Sequence, residues 1–339
     1  MTYKTKNLLK LLCFLLLAAA TAWILIDNKT APFRKIEGKV FGTYYHITYQ
    51  SSSDFEKEIL QQLAAVDSSL SAFNDKSIVS KVNRNERVQV NDMFRTVFEL
   101  AQEVSSNTDG AFDVTVAPLV NLWGFGFKNK EQVSQQKIDS ILNYVGFQDV
   151  SLQKGYVVKK HPQTMLDFSA IAKGYGCDVV ANFLTAHGVN NFMVEIGGEI
   201  RAAGTNSESR DWTLGIEKPV EDSLAQHQEL FSTIQKSPMA IATSGNYRNF
   251  YYKDGHKFAH TICPQTGYPV QHNLLSATVS AFTCAMADAY ATAFMVMGME
   301  KAKKVLAQTK GVEAFFIFTD KNGRYCTWCS EGLAKYVDK

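Results

Sequence analysis

SATVSAFTCAMADAYATAFMVMG, residues 276–298, changes character midway. Ser276 to Phe282 reads as a strand. Cys284 to Met297 reads as a helix, rich in Ala and Met and carrying a single acid. Asp288 and Thr292 sit at i and i+4, on one helical face. A carboxylate and a hydroxyl so placed form a hard oxygen pair that suits Mg²⁺. Alternatively, Asp288 is a buried, hydrogen-bonded helix acid. Either way, an acid among these apolar residues needs a cation or a donor as partner.

Working outward from this stretch, Ala314 to Phe318 is a buried strand, and Arg324 to Trp328 reads as another. Upstream, Val40 to Tyr49, Tyr156 to Lys159, Phe192 to Ile196, Trp212 to Ile216 and Met239 to Thr243 are rich in β-formers. Asp254-Gly255 reads as a hairpin turn between Phe250–Tyr252 and Lys257-Phe258. A helix begins near Ser53, whose hydroxyl and Glu56 make a capping box. Phe55, Ile59, Leu63, Val66 and Leu70 form its apolar face. Further helices run from Asn91 to Asn107, with Phe94, Val97, Phe98, Ala101 and Val104 inward, from Ser134 to Val145, and from Ala172 to His187. Helices and strands do not alternate strictly, so the pattern predicts an α+β fold rather than a doubly wound sheet.

The chain has 339 residues, 46% hydrophobic and 20% charged, which excludes disorder, collagen-like repeats and a polytopic membrane protein. Net charge is +2 and no Lys/Arg run exceeds a pair, so no nucleic-acid partner is expected. Six cysteines are too few for a disulfide scaffold of this length. Cys326 and Cys329 form a C-x-x-C, but in a strand they point to opposite faces, which favours ordinary packing. Lys4, Lys6 and Lys10 precede an apolar run from Leu8 to Ile26 that spans roughly 28 Å as a helix. It reads as either an uncleaved signal-anchor or a signal peptide cleaved near Ala20-Thr21-Ala22, with the body exported in both cases. Cys13 lacks the small residues that precede a lipidated cysteine. The chain thus divides into an N-terminal segment (1–27), a linker (28–37) and one body (38–339).

No phosphate loop and no H-E-x-x-H occur, and Gly174-Tyr175-Gly176 lacks the third glycine of a Rossmann fingerprint. Three further stretches carry chemistry. Gly110 to Gly126, GAFDVTVAPLVNLWGFG, reads as an irregular segment where backbone can approach a flat ligand. In Leu166 to Asp178, LDFSAIAKGYGCD, Asp167 leads a strand into a helix. The free N–H groups at that helix start, with Lys173, suit an anion. Ala259 to Val270, AHTICPQTGYPV, is a turn-rich loop in which His260 is either a structural histidine or a proton carrier.

These stretches, in this order, resemble the ApbE family of FAD:protein FMN transferases. GTYY at Gly42, SAFNDKSIVSKVN at Ser71, EIGGEIRAAG at Glu195 and IATSGNYRNF at Ile241 look like further signatures of it. The resemblance covers about Gly38 to Lys335. It implies a two-lobed α+β body with mixed or antiparallel sheets flanked by helices, and FAD bound in a cleft between lobes. It also implies cleavage of FAD and attachment of FMN to a threonine hydroxyl of an acceptor protein, releasing AMP. The implied acceptor is an exported flavoprotein of an Rnf- or Nqr-like redox complex with a Ser/Asp-Gly-Ala-Thr-like motif. By similarity, Ala170, Asp288 and Thr292 hold Mg²⁺, and Phe41, Phe73, Ala111, Phe112, Asp113, Asp167, Lys173 and Ile262 contact FAD. His260 and Asp288 are the implied catalytic residues. Cys263 replaces the acid of the family's His-x-x-Asp-Pro loop, and Asn246 replaces the acid of its Ser-Gly-Asp-Tyr. Two other readings of the same residues are a Mg²⁺-dependent FAD pyrophosphatase and a non-catalytic flavin-binding protein. The implied location is the inner membrane with the body on its periplasmic face, or the periplasm after cleavage.

Overall fold

The computed structural model describes residues 14–15, 31–127, 132–219, 229–247, 250–253 and 256–338. The Leu8–Ile26 run lies outside them except for Phe14 and Leu15, which are helical and exposed. The Asp254-Gly255 turn also lies outside the described residues. Among the described residues no helix is long and apolar enough to cross a membrane.

The body opens with strands β1 (Phe33–Val40) and β2 (Thr43–Gln50). Helices α1 (Glu56–Leu70), α2 (Ile78–Asn83), α3 (Asp92–Asn107), α4 (Ala117–Trp123) and α5 (Gln135–Leu142) follow. A ribbon of β3 (Val150–Gln153) and β4 (Tyr156–Lys159) leads to α6 (Ala172–Ala186). Next come β5 (Phe192–Ile196), β6 (Glu199–Ala203), β7 (Thr213–Glu217), β8 (Leu230–Gln235) and β9 (Met239–Gly245). The hairpin β10 (Phe250–Lys253) and β11 (His256–Ala259) precedes β12 (Leu274–Ser280). Last are α7 (Cys284–Met297), α8 (Met299–Gln308), β13 (Glu313–Thr319), β14 (Tyr325–Cys329) and α9 (Glu331–Ala334).

Eight strands form one sheet in the order β1-β2-β5-β6-β9-β12-β13-β14, and each neighbouring pair is antiparallel. The fold is α+β, with helices packed on this sheet. Side chains alternate across it. Ala242 of β9 and Ala314 and Phe316 of β13 face the helical core with α7. Ile241, Phe315 and Ile317 face a second core with Trp212, Ile216 and Leu333. Covered on both sides, β13 is a nearly continuous apolar run. The helix α7 is apolar all round for the same reason: it lies between the sheet and α3, with Tyr290 and Phe294 fully buried. A smaller cluster of Leu119, Leu122, Trp123, Ile138 and Ile262 makes a separate core beneath the His260 loop.

Local structure departs from the sequence reading in five places. Val40 to Tyr49 is not one strand. It is a hairpin turning at Phe41 and Gly42, both left-handed with φ of 51° and 75°, the geometry of a tight two-residue turn. Strand β1 begins at Phe33, inside the expected linker. The Ser53–Glu56 capping box is absent: α1 starts at Glu56, and Asp54 Oδ1 accepts the Glu56 N–H at 3.1 Å. Within Gly110–Gly126, residues 117–123 are helical, opened by Pro118 near the N-terminus and closed by Gly124 at φ 83°. Asp167 follows an isolated bridge between Val116 and Met165, not a strand.

Candidate functional site

The site is built where α6 and α7 cross. Gly174 allows the crossing, because a Cβ there would stand 2.3 Å from the Cys284 carbonyl oxygen. Two acids tie the helices together. Asp178 on α6 accepts the N–H groups of Cys284 (2.9 Å) and Ala285 (2.8 Å), capping α7 from its neighbour. Asp288 on α7 accepts the Gly174 N–H at 3.1 Å through Oδ2. The start of α6 is therefore less open to an anion than the sequence suggested: Ala172 N–H is bonded to the Phe168 carbonyl, and Gly174 N–H to Asp288.

Lys173 projects from the same turn into a buried acid pair. Its Nζ donates to Glu199 Oε1 at 2.6 Å and lies 3.6 Å from Asp288 Oδ1. Burial works against the Lys173 charge, but Asp288 and Glu199 outweigh it and hold the ammonium above the usual lysine range. Burial pushes both the Asp288 and the Glu199 carboxyls up, while Lys173 pulls each back. Two carboxylates share one ammonium, so the cluster has spare capacity for positive charge. Glu199 Oε2 is buried with no hydrogen-bond partner. Thr292, one turn beyond Asp288, shares a 3.2 Å hydrogen bond with Ser244 Oγ.

Every site residue named from the sequence lines one cleft of about 1550 Å³. Their roles in it differ. Asp288, Thr292, Lys173 and the Ala170 segment form its polar floor. Phe112 and Ile262 are core residues, 2% and 4% exposed, whose segments shape the wall beside Ala111. The Asp113 side chain braces its own loop within the cleft wall: its Oδ1 accepts from Thr115 N and Oγ1 (2.7 and 2.6 Å) and its Oδ2 from Phe147 N (2.9 Å). Asp167 Oδ1 similarly holds the Ser169 N–H and hydroxyl. Phe41 packs where a Cβ on Gly176 would meet its ring at 2.8 Å. Phe73 is exposed on the cleft wall, edge-on to Phe127 at 5.9 Å.

His260 is half-buried on the opposite wall, 6.4 Å from the Phe125 ring centre. Its loop is held by neutral groups at Asn246 and Cys263. Thr261 Oγ1 donates to Asn246 Oδ1 at 2.6 Å, and Cys263 closes the turn through its backbone, bonding Tyr268 O and Gly267 N at 2.8 Å each.

Glu199 is the main residue that sequence reasoning missed. Its signal was present: an acid entering a strand straight after Gly197-Gly198, with Ile200 next to it. Among the described residues no three His, Cys, Asp or Glu side chains gather as a metal centre. The available donors are instead mixed oxygens: one carboxylate, one hydroxyl and one carbonyl.

The chain is similar to known proteins over nearly its whole body. The ApbE family model matches residues 41–316. An FAD:protein FMN transferase of Haemophilus influenzae is 35% identical, covering 97% of this chain and 99% of its own length. The enzyme of that name from Escherichia coli K12 is 33% identical, covering 95% and 96%. Among solved structures, the flavin transferase ApbE of Vibrio cholerae superimposes with a TM-score of 0.81 at 34% identity, over 90% of this chain and 99% of that one. The apo flavinyl transferase of Pseudomonas stutzeri gives 0.80 at 30% identity, over 91% and 98%. With the fold and the sequence both matched over nearly the whole body, the chain belongs to the ApbE family.

Proposed function

We propose that this chain is an FAD:protein FMN transferase that uses Mg²⁺ and joins FMN to a threonine of an exported acceptor. The observation that carries the reading is the convergence of Lys173, Asp288, Thr292 and His260 on one cleft large enough for a dinucleotide. The relatives' names supply the reaction class.

In this reading the acceptor hydroxyl oxygen attacks the FMN phosphorus of FAD. A phosphoester bond forms, the bond to the AMP phosphate breaks, and AMP leaves. The anionic phosphates repel the nucleophile, so the residues serve mainly to position and neutralise. Lys173 brings a permanent positive charge to the cleft floor. His260 takes the hydroxyl proton, as an imidazole can at neutral pH. The donor set fits a hard divalent ion, because Asp288, Thr292 and the Ala170 carbonyl are all oxygens and the floor has excess negative charge. When bound, Mg²⁺ would neutralise phosphate charge and ease the departure of AMP.

Product analysis tests the reading. With FAD, Mg²⁺ and a threonine-bearing acceptor, AMP should appear and free FMN should not. Free FMN in amounts equal to AMP points to a pyrophosphatase, and no FAD loss points to a flavin-binding protein. We also place the body on the outer face of the inner membrane, held by Leu8–Ile26. Protease added to spheroplasts should then digest it, and protection of the body would reverse that orientation.

A further inference from the structure

Glu199 has no part in the transfer reaction as derived above, yet it is 3% exposed and makes the shortest contact that Lys173 has. The lysine ammonium stands between two buried carboxylates, 2.6 Å from Glu199 and 3.6 Å from Asp288. Coulomb attraction rises as distance falls, so the nearer acid decides where the ammonium rests. We propose that Glu199 is a positioning residue that holds Lys173 off Asp288 and so keeps Asp288 Oδ1 open to a divalent cation.

The proposal rests on reading Asp288 as a cation ligand. Asp288 Oδ2 already accepts the Gly174 N–H, which leaves Oδ1 as the oxygen with capacity for a cation. That oxygen is also the one facing Lys173. The base of Lys173 is fixed, because it precedes the Gly174 contact that sets the helix crossing. Only the ammonium tip is free to choose an acid. Without Glu199 it turns to Asp288, whose neutralised carboxylate is a poor ligand for a hard cation that selects charged oxygens. Glu199 Oε2 has no partner, so direct ligation of the cation by Glu199 is the rival that a test must separate.

A double-mutant cycle on cation binding does so, with Mn²⁺ titrated into the apoprotein and free Mn²⁺ read by electron paramagnetic resonance. Glu199→Ala should weaken Mn²⁺ binding about tenfold, a change of about 1.4 kcal/mol. Glu199→Gln should lose less, because its amide oxygen still accepts from Lys173. In a Lys173→Met background, Glu199→Ala should change affinity by less than about twofold, since the residue through which it acts is gone. An equal loss with and without Lys173 would mean that Glu199 acts on the cation directly, and unchanged affinity in Glu199→Ala would mean that it does not act at all. Either overturns the proposal. Should Glu199→Ala fail to fold, the Gln pair carries the same comparison. Asp288→Ala separates the premise: if Mn²⁺ binding survives it, Asp288 is not the ligand, and the proposal falls with the metal site rather than through Glu199.

Discussion

At the scale of single residues, chemistry in this cleft depends on which polar groups are already occupied. Asp113 and Asp167 look from sequence like ligand contacts, and both spend carboxylate oxygens on their own loops. Asp288 gives one oxygen to the Gly174 N–H and turns the other toward Lys173 on the cleft floor. Asp288→Ala should therefore cut Mg²⁺-dependent turnover by about 10²–10³, the range for loss of an electrostatic stabiliser. Thr292→Val should cost less, since a neutral hydroxyl holds a cation more weakly than a carboxylate. Steady-state rates against Mg²⁺ concentration, with circular dichroism as the folding control, check both. An Asp288→Ala enzyme with parental rates at low Mg²⁺ ends the metal assignment.

At the scale of elements, much was legible. The apolar faces of α1 and α3 were read at the right residues because side chains on one helical face recur every three or four positions. The limits of α7 were legible too, at Cys284 and Met297: Gly298 follows it, and Thr283 caps its start by accepting the Met286 N–H through Oγ1. The β1–β2 hairpin was not legible. Its turn uses Phe41 in a left-handed conformation, which no propensity favours, and β1 carries charged residues on its exposed side as an edge strand does. Asp178 was also silent, since a side chain that caps a helix over a hundred residues away leaves no local pattern. Gly174 is where element packing reaches the site. Gly174→Ala forces the α6–α7 crossing apart against backbone, and should cost about 1–3 kcal/mol, the range for overpacking. Denaturant titration gives that figure. A neutral substitution would show that the close approach of α6 and α7 is not what holds Lys173 beside Asp288.

For the whole molecule, the sheet and crossed helices form one wall of the cleft, and the small core under the His260 loop supports the other. The residues that act together come from β6, α6, α7 and the 259–270 loop, so no local stretch could reveal their distances. What the sequence could reveal was their order, and the cleft brings that ordered set together. The central claim is that this cleft moves FMN from FAD onto a threonine. Fragment-ion mass spectrometry of a threonine-bearing acceptor, after incubation with the protein, FAD and Mg²⁺, tests it most directly. The account predicts FMN bound through phosphate to the threonine side chain, and none with the Asp288→Ala protein. An unmodified acceptor alongside consumed FAD would contradict it.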